Sequence, residues 1–399
     1  MERPTAPLLI LLLILAGTIL PVATAAPPEP PPTWIHDLGD YVTSVDMSDD
    51  GKFVIVGTRH GFLFLFDSEG KEIWRKELDI PVVDVAISPD GRIIAALMNE
   101  TENRGRLSLY SSDGGEIATW ILDSPGTAVD VTLVEGEAYF IGVGLLDGSV
   151  VITDTTDILW YERIHNDAVL DVEFEPRVAM LATCSRDGTV ALVDVTRRDV
   201  VWKTDLGRPV FSIDFNSDGK FLAAGVPEGV YLLDPVHGAV IWDNGVHGLV
   251  ESVALGTEIT YAGGNDYYSG QSELRATDST GNTMWAIPFK DAFIRALDVS
   301  DDDRYIVVGL SNGRIFLFDN NGKDLWEYDT VDGAGITSLA LNPTGDYLVV
   351  GSESEKSDLM YFTPDPPPPV PEPYYVGVFM LIVLLLVYVF YKRRVAEAS

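Results

Sequence analysis

Eight tryptophans constrain this chain more than any other feature. Trp34, Trp74, Trp120, Trp160, Trp202, Trp242, Trp285 and Trp326 are all it has, and neighbours lie 40 to 46 residues apart. A period of that length, held along most of a chain, marks a repeat of one small antiparallel sheet, with the sheets set radially. Several of the tryptophans share a lead-in. Asp67-Ser68-Glu69-Gly70 precedes Trp74, Asp278-Ser279-Thr280-Gly281 precedes Trp285, and Asp319-Asn320-Asn321-Gly322 precedes Trp326. Asp caps the turn with its side chain, Gly supplies positive φ, and a short strand then carries Trp. Trp242 has the frame one residue longer, with Asp234 and Gly238. Trp160 and Trp202 keep Asp154 and Asp194 without the glycine, and Trp120 follows Ser112-Asp113-Gly114-Gly115.

Between tryptophans the text reads as four short strands, A to D from inside to outside, joined by hairpin signals. Strand A mixes small or polar with apolar residues, as in Val82-Val-Asp-Val-Ala-Ile87 and Ile294-Arg-Ala-Leu-Asp-Val299. Strands B and C are fuller apolar runs, such as Tyr305-Ile-Val-Val308 and Ile315-Phe-Leu-Phe318, as expected of sheets covered on both faces. Two B–C connections, Asn99 to Arg106 and Gly264 to Ser272, read as longer loops.

The ends decide the count. The eighth repeat has A at Ile336, B at Tyr347-Leu-Val-Val350 and C at Leu359-Met-Tyr-Phe362, and then Pro364 follows with no fourth strand. Trp34-Ile-His-Asp-Leu38 is a D strand with no A, B or C before it. The two fragments complete each other. The expected fold is all-β, an eight-bladed β-propeller over residues 33–363, its N-terminal strand closing the last blade so that no sheet edge is left free.

Both termini read as targeting segments. Residues 1–25 have an apolar run from Leu8 to Leu20 and a small-residue site at Ala23-Thr24-Ala25, the pattern of a signal peptide. Residues 26–32 are a Pro-rich tether, and residues 364–373 a Pro-rich spacer. Residues 374–391 carry no charge and are long enough for one transmembrane helix. Lys392-Arg393-Arg394 opens residues 392–399, and positive residues stay on the cytoplasmic side. The sequence thus predicts a single-pass membrane protein with its propeller outside.

The formal net charge is −34. Residues 1–25 contribute Glu2 and Arg3, which cancel; residues 392–399 contribute Lys392, Arg393, Arg394 and Glu397, a net +2; the rest therefore carries −36. Such a surface excludes nucleic acid as a partner and suits high salt, cations or basic proteins. The single cysteine, Cys184, allows no internal disulfide and sits in a strand as a small apolar side chain.

The residues now resemble a known group. The Asp…Gly…Trp turn resembles the docking motif of eight-bladed pyrroloquinoline quinone (PQQ) dehydrogenase-like propellers. Cys184-Ser-Arg-Asp-Gly-Thr-Val190 and the Ser-Pro-Asp-Gly turns resemble WD repeats. The mixture is similar to membrane-anchored surface proteins of prokaryotes, archaea above all. That resemblance implies rings of tryptophan that lock blade to blade. Enzymatic PQQ members carry an adjacent cysteine pair beside the cofactor, and this chain has one cysteine. The expectation is no catalysis and no cofactor, with a PQQ-dependent dehydrogenase-like enzyme and a structural cell-surface component as alternatives.

Candidate sites follow from placement. Asp84, Asp130 and Asp171 stand at matching places in three successive A strands; Ca²⁺ takes such oxygen ligands, and the competing reading is that they bond to backbone amides. The five histidines show no zinc spacing, and His165-Asn166-Asp167 reads as a D–A loop turn. Loops on a rigid scaffold carry binding, which singles out Tyr267, Tyr268 and Arg104. Asn99-Glu100-Thr101 is a glycosylation sequon. The expected function is an extracellular scaffold that binds an unidentified protein or surface ligand.

Overall fold

The computed structural model describes residues 32–134, 138–354 and 359–363. Its strands form eight four-stranded antiparallel sheets. Blade 1 is β2 (Val42–Met47), β3 (Phe53–Thr58), β4 (Phe62–Asp67) and β5 (Glu72–Glu77), paired in that order. Blades 2 to 7 repeat the arrangement. Blade 8 joins β30 (Ile336–Leu341), β31 (Leu348–Ser352) and β32 (Leu359–Phe362) to β1 (Trp34–His36), the outermost strand. The N-terminal strand closes the ring, as the two sequence fragments imply. The register is Trp34↔Tyr361, Ile35↔Met360 and His36↔Leu359. The Trp34 ring lies flat on Tyr361, centroids 4.9 Å apart and planes 6° from parallel.

The core is divided rather than central. Apolar residues gather into eight clusters, and each spans two neighbouring blades. One joins Ile55, Leu63 and Leu65 of blade 1 to Val82, Val85 and Ile94 of blade 2. Strands B and C are buried on both faces, which is why they read as unbroken apolar runs. Strand D alternates, as in the exposed and half-buried residues of β5. Each fully buried Leu or Ile adds about 1.5–3 kcal/mol, so the interfaces between blades carry most of the stability.

The tryptophans act across those interfaces. The Trp34 indole N–H donates to the Ser68 carbonyl of blade 1 at 3.1 Å. Trp74 donates to Ser112 at 3.1 Å, Trp202 to Pro235 at 2.7 Å, Trp242 to Ser279 at 3.2 Å and Trp285 to Asn320 at 2.9 Å. Each acceptor lies in the C–D turn of the next blade. A turn therefore receives the tryptophan of the blade before it, not the one that follows it in sequence. Gly70 shows why the turn needs glycine: its φ is +79°, and a Cβ there would lie 2.7 Å from the Trp34 ring.

Trp120 and Trp160 depart from this pattern, and the sequence explains both. They face the two turns that lack glycine. Trp160 packs on Val193 and Val195 of blade 4, but makes no indole hydrogen bond there; Arg198 holds the left-handed position, φ 60°, in the turn it meets. Trp120 is also out of register. In blade 1 Trp74 pairs with Leu65, just ahead of a bulge; in blade 2 the matching residue is Ala118, opposite Leu109, and Trp120 pairs with Leu107. The variant lead-in of Trp120 thus goes with a shifted position, and the two-residue shift accounts for part of the uneven spacing around it.

Two connections read as loops are extended hairpins. β7 (Ile93–Thr101) and β8 (Arg104–Ser111) turn at 102–103, and β23 (Ile259–Asp266) and β24 (Gln271–Asp278) turn at 267–270. Among the described residues no helix is long and apolar enough to cross a membrane. The expected signal peptide, spacer, transmembrane helix and cytoplasmic tail all lie outside the described residues.

Candidate functional site

The A strands of successive blades touch one another around the axis. Their polar side chains are arranged in two tiers. In the first, Asp46, Asp130, Glu173, Asp214 and Asp298 each accept the backbone N–H of the next blade: Ile87 at 2.8 Å, Phe174 at 2.8 Å, Phe215 at 3.1 Å, Leu255 at 2.5 Å and Leu341 at 2.7 Å. In the second tier, two residues earlier, Asp84 accepts Val129 at 2.9 Å and Asp171 accepts Ile213 at 3.0 Å. Ser338 does the same for Val45 at 3.2 Å, carrying the series across the closure.

Asp130 is thus not the counterpart of Asp84 and Asp171, which corrects the expected match. β10 (Gly126–Val134) pairs from Gly126↔Leu145, so Asp130 falls two residues further along than Asp84, whose strand starts at Val82↔Met98. Among the described residues no three His, Cys, Asp or Glu side chains converge to hold a metal ion. The carboxylates meet backbone amides. Burial pushes Asp46 up to about 8, Asp214 to about 8, Asp171 to about 7, and Asp84 and Asp298 to about 6, against the amide bonds that lower them. Burial and the facing Asp214 carboxylate hold Glu173 well above its ordinary value.

The face carrying the D–A and B–C connections has the cleft that holds the tyrosines; a smaller hollow of about 300 Å³ lies on the opposite face, lined by Val178, Phe215 and Val236 among others. Between blades 5 and 6 lies a hollow of about 610 Å³, lined by Pro227, Glu228, His247, Asn265, Tyr267 and Tyr268 among others. The β23–β24 hairpin supplies both tyrosines. Asp266 shapes its tip by accepting the N–H groups of Tyr268 at 3.0 Å and Ser269 at 3.3 Å. Tyr267 is fixed: its hydroxyl donates to Glu251, and its ring leans on Phe293 with centroids 4.5 Å apart. Burial and the Glu251 carboxylate push its phenol up to about 12. Tyr268 is wholly exposed. One ring is anchored and the other free, a pairing that suits recognition of an aromatic or aliphatic side chain. Glu228 and His247 come from blade 5, and no local motif announces them; only the closeness of the two blades brings them to the tyrosines.

Arg104 is exposed on the β7–β8 hairpin, on the same face but half a turn around the ring, so the structure does not bring it to the tyrosines. Asn99 lies in β7, not in a loop. Its side-chain amide donates to the Gly126 carbonyl at 3.1 Å and accepts the Gly126 N–H at 2.8 Å. A glycan on Asn99 requires that clamp to open. In blade 6, Asn265 makes the same two bonds with Ile294 of blade 7, both at 2.8 Å.

Blade 4 holds a polar network that its sequence disguised as a turn. His165 is buried, with Nδ1 2.8 Å from the Thr189 hydroxyl and Nε2 2.8 Å from the Thr183 hydroxyl. Asp187 accepts the Thr189 hydroxyl, and the Asn166 N–H at 2.7 Å. Burial pulls His165 down to about 4. Burial works to raise Asp187, yet the Asn166 N–H, Thr189 and His165 outweigh it and hold the carboxyl far below its ordinary value. The run Ser185-Arg-Asp-Gly-Thr189, with a histidine in the preceding loop, is the signal for this network.

Comparison with known proteins agrees with both halves of this picture. The repeat described as "Outer membrane protein assembly factor BamB" matches residues 227–360, and "WD domain, G-beta repeat" matches residues 33–67 and 161–194. The protein is a repeat-built β-propeller. The eukaryotic translation initiation factor 3 subunit I of Candida glabrata is 25% identical to this chain over 162 residues, 37% of this chain and 47% of that one. The chain spans about half the length of the curated relatives it matches. The solved structure of Saccharomyces cerevisiae Sqt1 aligns with TM-score 0.69 at 13% identity, over 84% of this chain and 99% of that one. The C-terminal WD40 domain of Sif2 aligns with TM-score 0.70 at 15% identity, over 84% and 98%. Likenesses at these identities show the fold.

Proposed function

We propose that the propeller is a protein-binding scaffold that docks its partner on the D–A and B–C face, over blades 5 and 6. One observation carries the reading: the first and last described strands of the propeller meet on the face opposite the aromatic cleft. β32 ends and β1 begins on the A–B and C–D face, where the Thr33 and Thr363 hydroxyls are 3.4 Å apart. The cleft with Tyr267 and Tyr268 opens on the other. A helix at 374–391 that anchors the chain in a membrane, with Lys392-Arg393-Arg394 inside, would leave the cleft pointing away from the lipid. WD-type and BamB-type repeats support a scaffold, and the net charge favours a partner with basic groups at the rim of the cleft.

A photo-crosslinking residue placed at 268, in the full chain in its native cells, is expected to give a discrete adduct that Tyr267→Ala weakens. The same residue at Val236, exposed on the other face, is expected to give none. Adducts from 236 alone would overturn the assignment of the face.

A further inference from the structure

The turn between β19 (Leu222–Val226) and β20 (Gly229–Asp234) carries a residue that its backbone does not favour. In blade 4 the corresponding turn is Arg186-Asp187-Gly188, with glycine at φ 90°. In blade 5 only Pro227 and Glu228 separate the pair Val226↔Gly229, and Glu228 sits at φ 62°. Proline first and positive φ second is the type II arrangement, whose second place favours glycine. A glutamate there stores strain, and strain of this kind collects at binding sites. We propose that Glu228 is retained for its carboxylate, and that the cleft over blades 5 and 6 receives a lysine or arginine side chain of the partner, with the cation at Glu228 and the free ring of Tyr268. This rests on the reading that the partner docks on that cleft.

The hollow suits such a side chain. Pro227, Val246 and Leu249 give it an apolar wall. Two carboxylates line it, those of Asp266 and Glu228. Asp266 is committed: one oxygen caps the hairpin tip, and the other lies 3.9 Å from His247 Nε2. Glu228 is exposed, and its carboxylate has no hydrogen bond or ion pair among the described residues. Its backbone is nonetheless held, the N–H donating to the Gly248 carbonyl at 2.6 Å and the carbonyl accepting the Val246 N–H at 3.3 Å. Arg208, from the D–A connection before it, donates to the Pro227 carbonyl at 2.8 Å and makes no ion pair with Glu228. The cleft thus offers a firmly mounted, unpaired anion, a wholly exposed ring and an aliphatic wall. Lysine and arginine bury a long stem while keeping a cation at its tip, and a cation over an aromatic face is attracted by the ring. A neutral guest would cover the wall and leave Glu228 unpaired.

The test uses the full chain with 3-fluorotyrosine incorporated at position 268 alone, read by fluorine NMR. The probes are acetylated Gly-X-Gly amides in which X is arginine, lysine, citrulline or norleucine; citrulline keeps the shape of arginine without its charge. Arginine or lysine peptides are expected to shift the signal saturably, and the citrulline and norleucine peptides to bind about tenfold more weakly. Glu228→Gln should weaken the cationic peptides by about the same factor and leave the neutral ones unchanged. Glu228→Gly should cost the same binding while raising the melting temperature, since it relieves the turn. Citrulline binding as tightly as arginine and lysine overturns the inference, as does an affinity that Glu228→Gln leaves unchanged. Loss of both binding and melting temperature in Glu228→Gly would make the residue a structural one and overturn its choice. Silence of position 268 toward all four peptides also overturns the inference. The crosslink at 268 reports separately on docking: an adduct that persists in Glu228→Gln keeps the scaffold reading and rejects the basic side chain, whereas its absence in the native chain rejects the scaffold reading itself.

Discussion

Blades 3 and 4 and blades 5 to 7 solve one problem in two ways. From Trp202 through Trp285, every tryptophan of blades 4 to 6 docks its N–H on the next turn, and a glycine under the ring leaves it room. Around blades 3 and 4 the docking fails, because the receiving turns carry Asp157 or Arg198 where others carry glycine. Blade 4 holds itself together from within instead, by His165 between Thr183 and Thr189. The BamB-type match takes in the docked Trp242 and Trp285, and one WD-type match covers most of blade 4, while the other holds Trp34, which docks as well. Adjacent blades of one ring can thus be cohesive mainly across their interface or mainly inside themselves. The apolar clusters between blades are common to both.

The comparison can be broken in order of effect. Deleting residues 33–38 removes three ladder pairs and the Trp34 lock together, and is expected to cost on the order of 5 kcal/mol, seen as a large fall in melting temperature. An unchanged melting temperature would mean that the ring does not need its closure. Trp285→Ala should cost about 4 kcal/mol and Trp160→Ala about 2 kcal/mol, since only the first also breaks a hydrogen bond and leaves a carbonyl unpaired. Equal losses by chemical denaturation would erase the distinction. Gly322→Ala places a Cβ 2.8 Å from the Trp285 ring at φ +75° and should cost about 2 kcal/mol. Arg198→Gly, at φ 60° in the turn that docks nothing, should be neutral or stabilise by about 0.5 kcal/mol.

The smallest effect is in pH. The axial carboxylates have folded pKa values raised above their unfolded value near 3.9, so their stabilisation is complete below that value and drains away as pH rises through 6 to 8. His165 has the opposite sign: its value is lowered to about 4, so its contribution stands above 6.5 and is lost as pH falls from there. The melting temperature should therefore decline from pH 6.5 to 8, and Asp46→Asn should flatten that decline. Calorimetry showing an equal slope in wild type and variant would remove Asp46 from the account.

Much of the fold was legible. The tryptophan period, the missing fourth strand after Phe362 and the lone D strand at Trp34 together specify eight blades and the closure. What was hidden is whatever crosses between blades. Gly70 precedes Trp74 in sequence and serves Trp34 in space. Asp130 looks aligned with Asp84 until the strand is seen to start at Gly126. Period-2 alternation records which face a residue takes, but not which neighbour awaits it. The cleft was half legible for the same reason: Tyr267 and Tyr268 stand out as paired aromatics in a hairpin, whereas Glu228 and His247 join them only through the packing of blade 5 on blade 6.

β1 has two allegiances with very different reach. Its pairing with β32 joins residues more than 320 apart, but Trp34 and His36 touch Ser68 and Gly70 only 34 residues downstream. During synthesis blade 1 is complete long before blade 8 exists. The lock on Ser68 and Gly70 can then hold β1 at the rim while the other blades are added. The last strand finds a parked edge rather than a wandering tail, and most of the entropy of closing a loop that long has already been met by a short one.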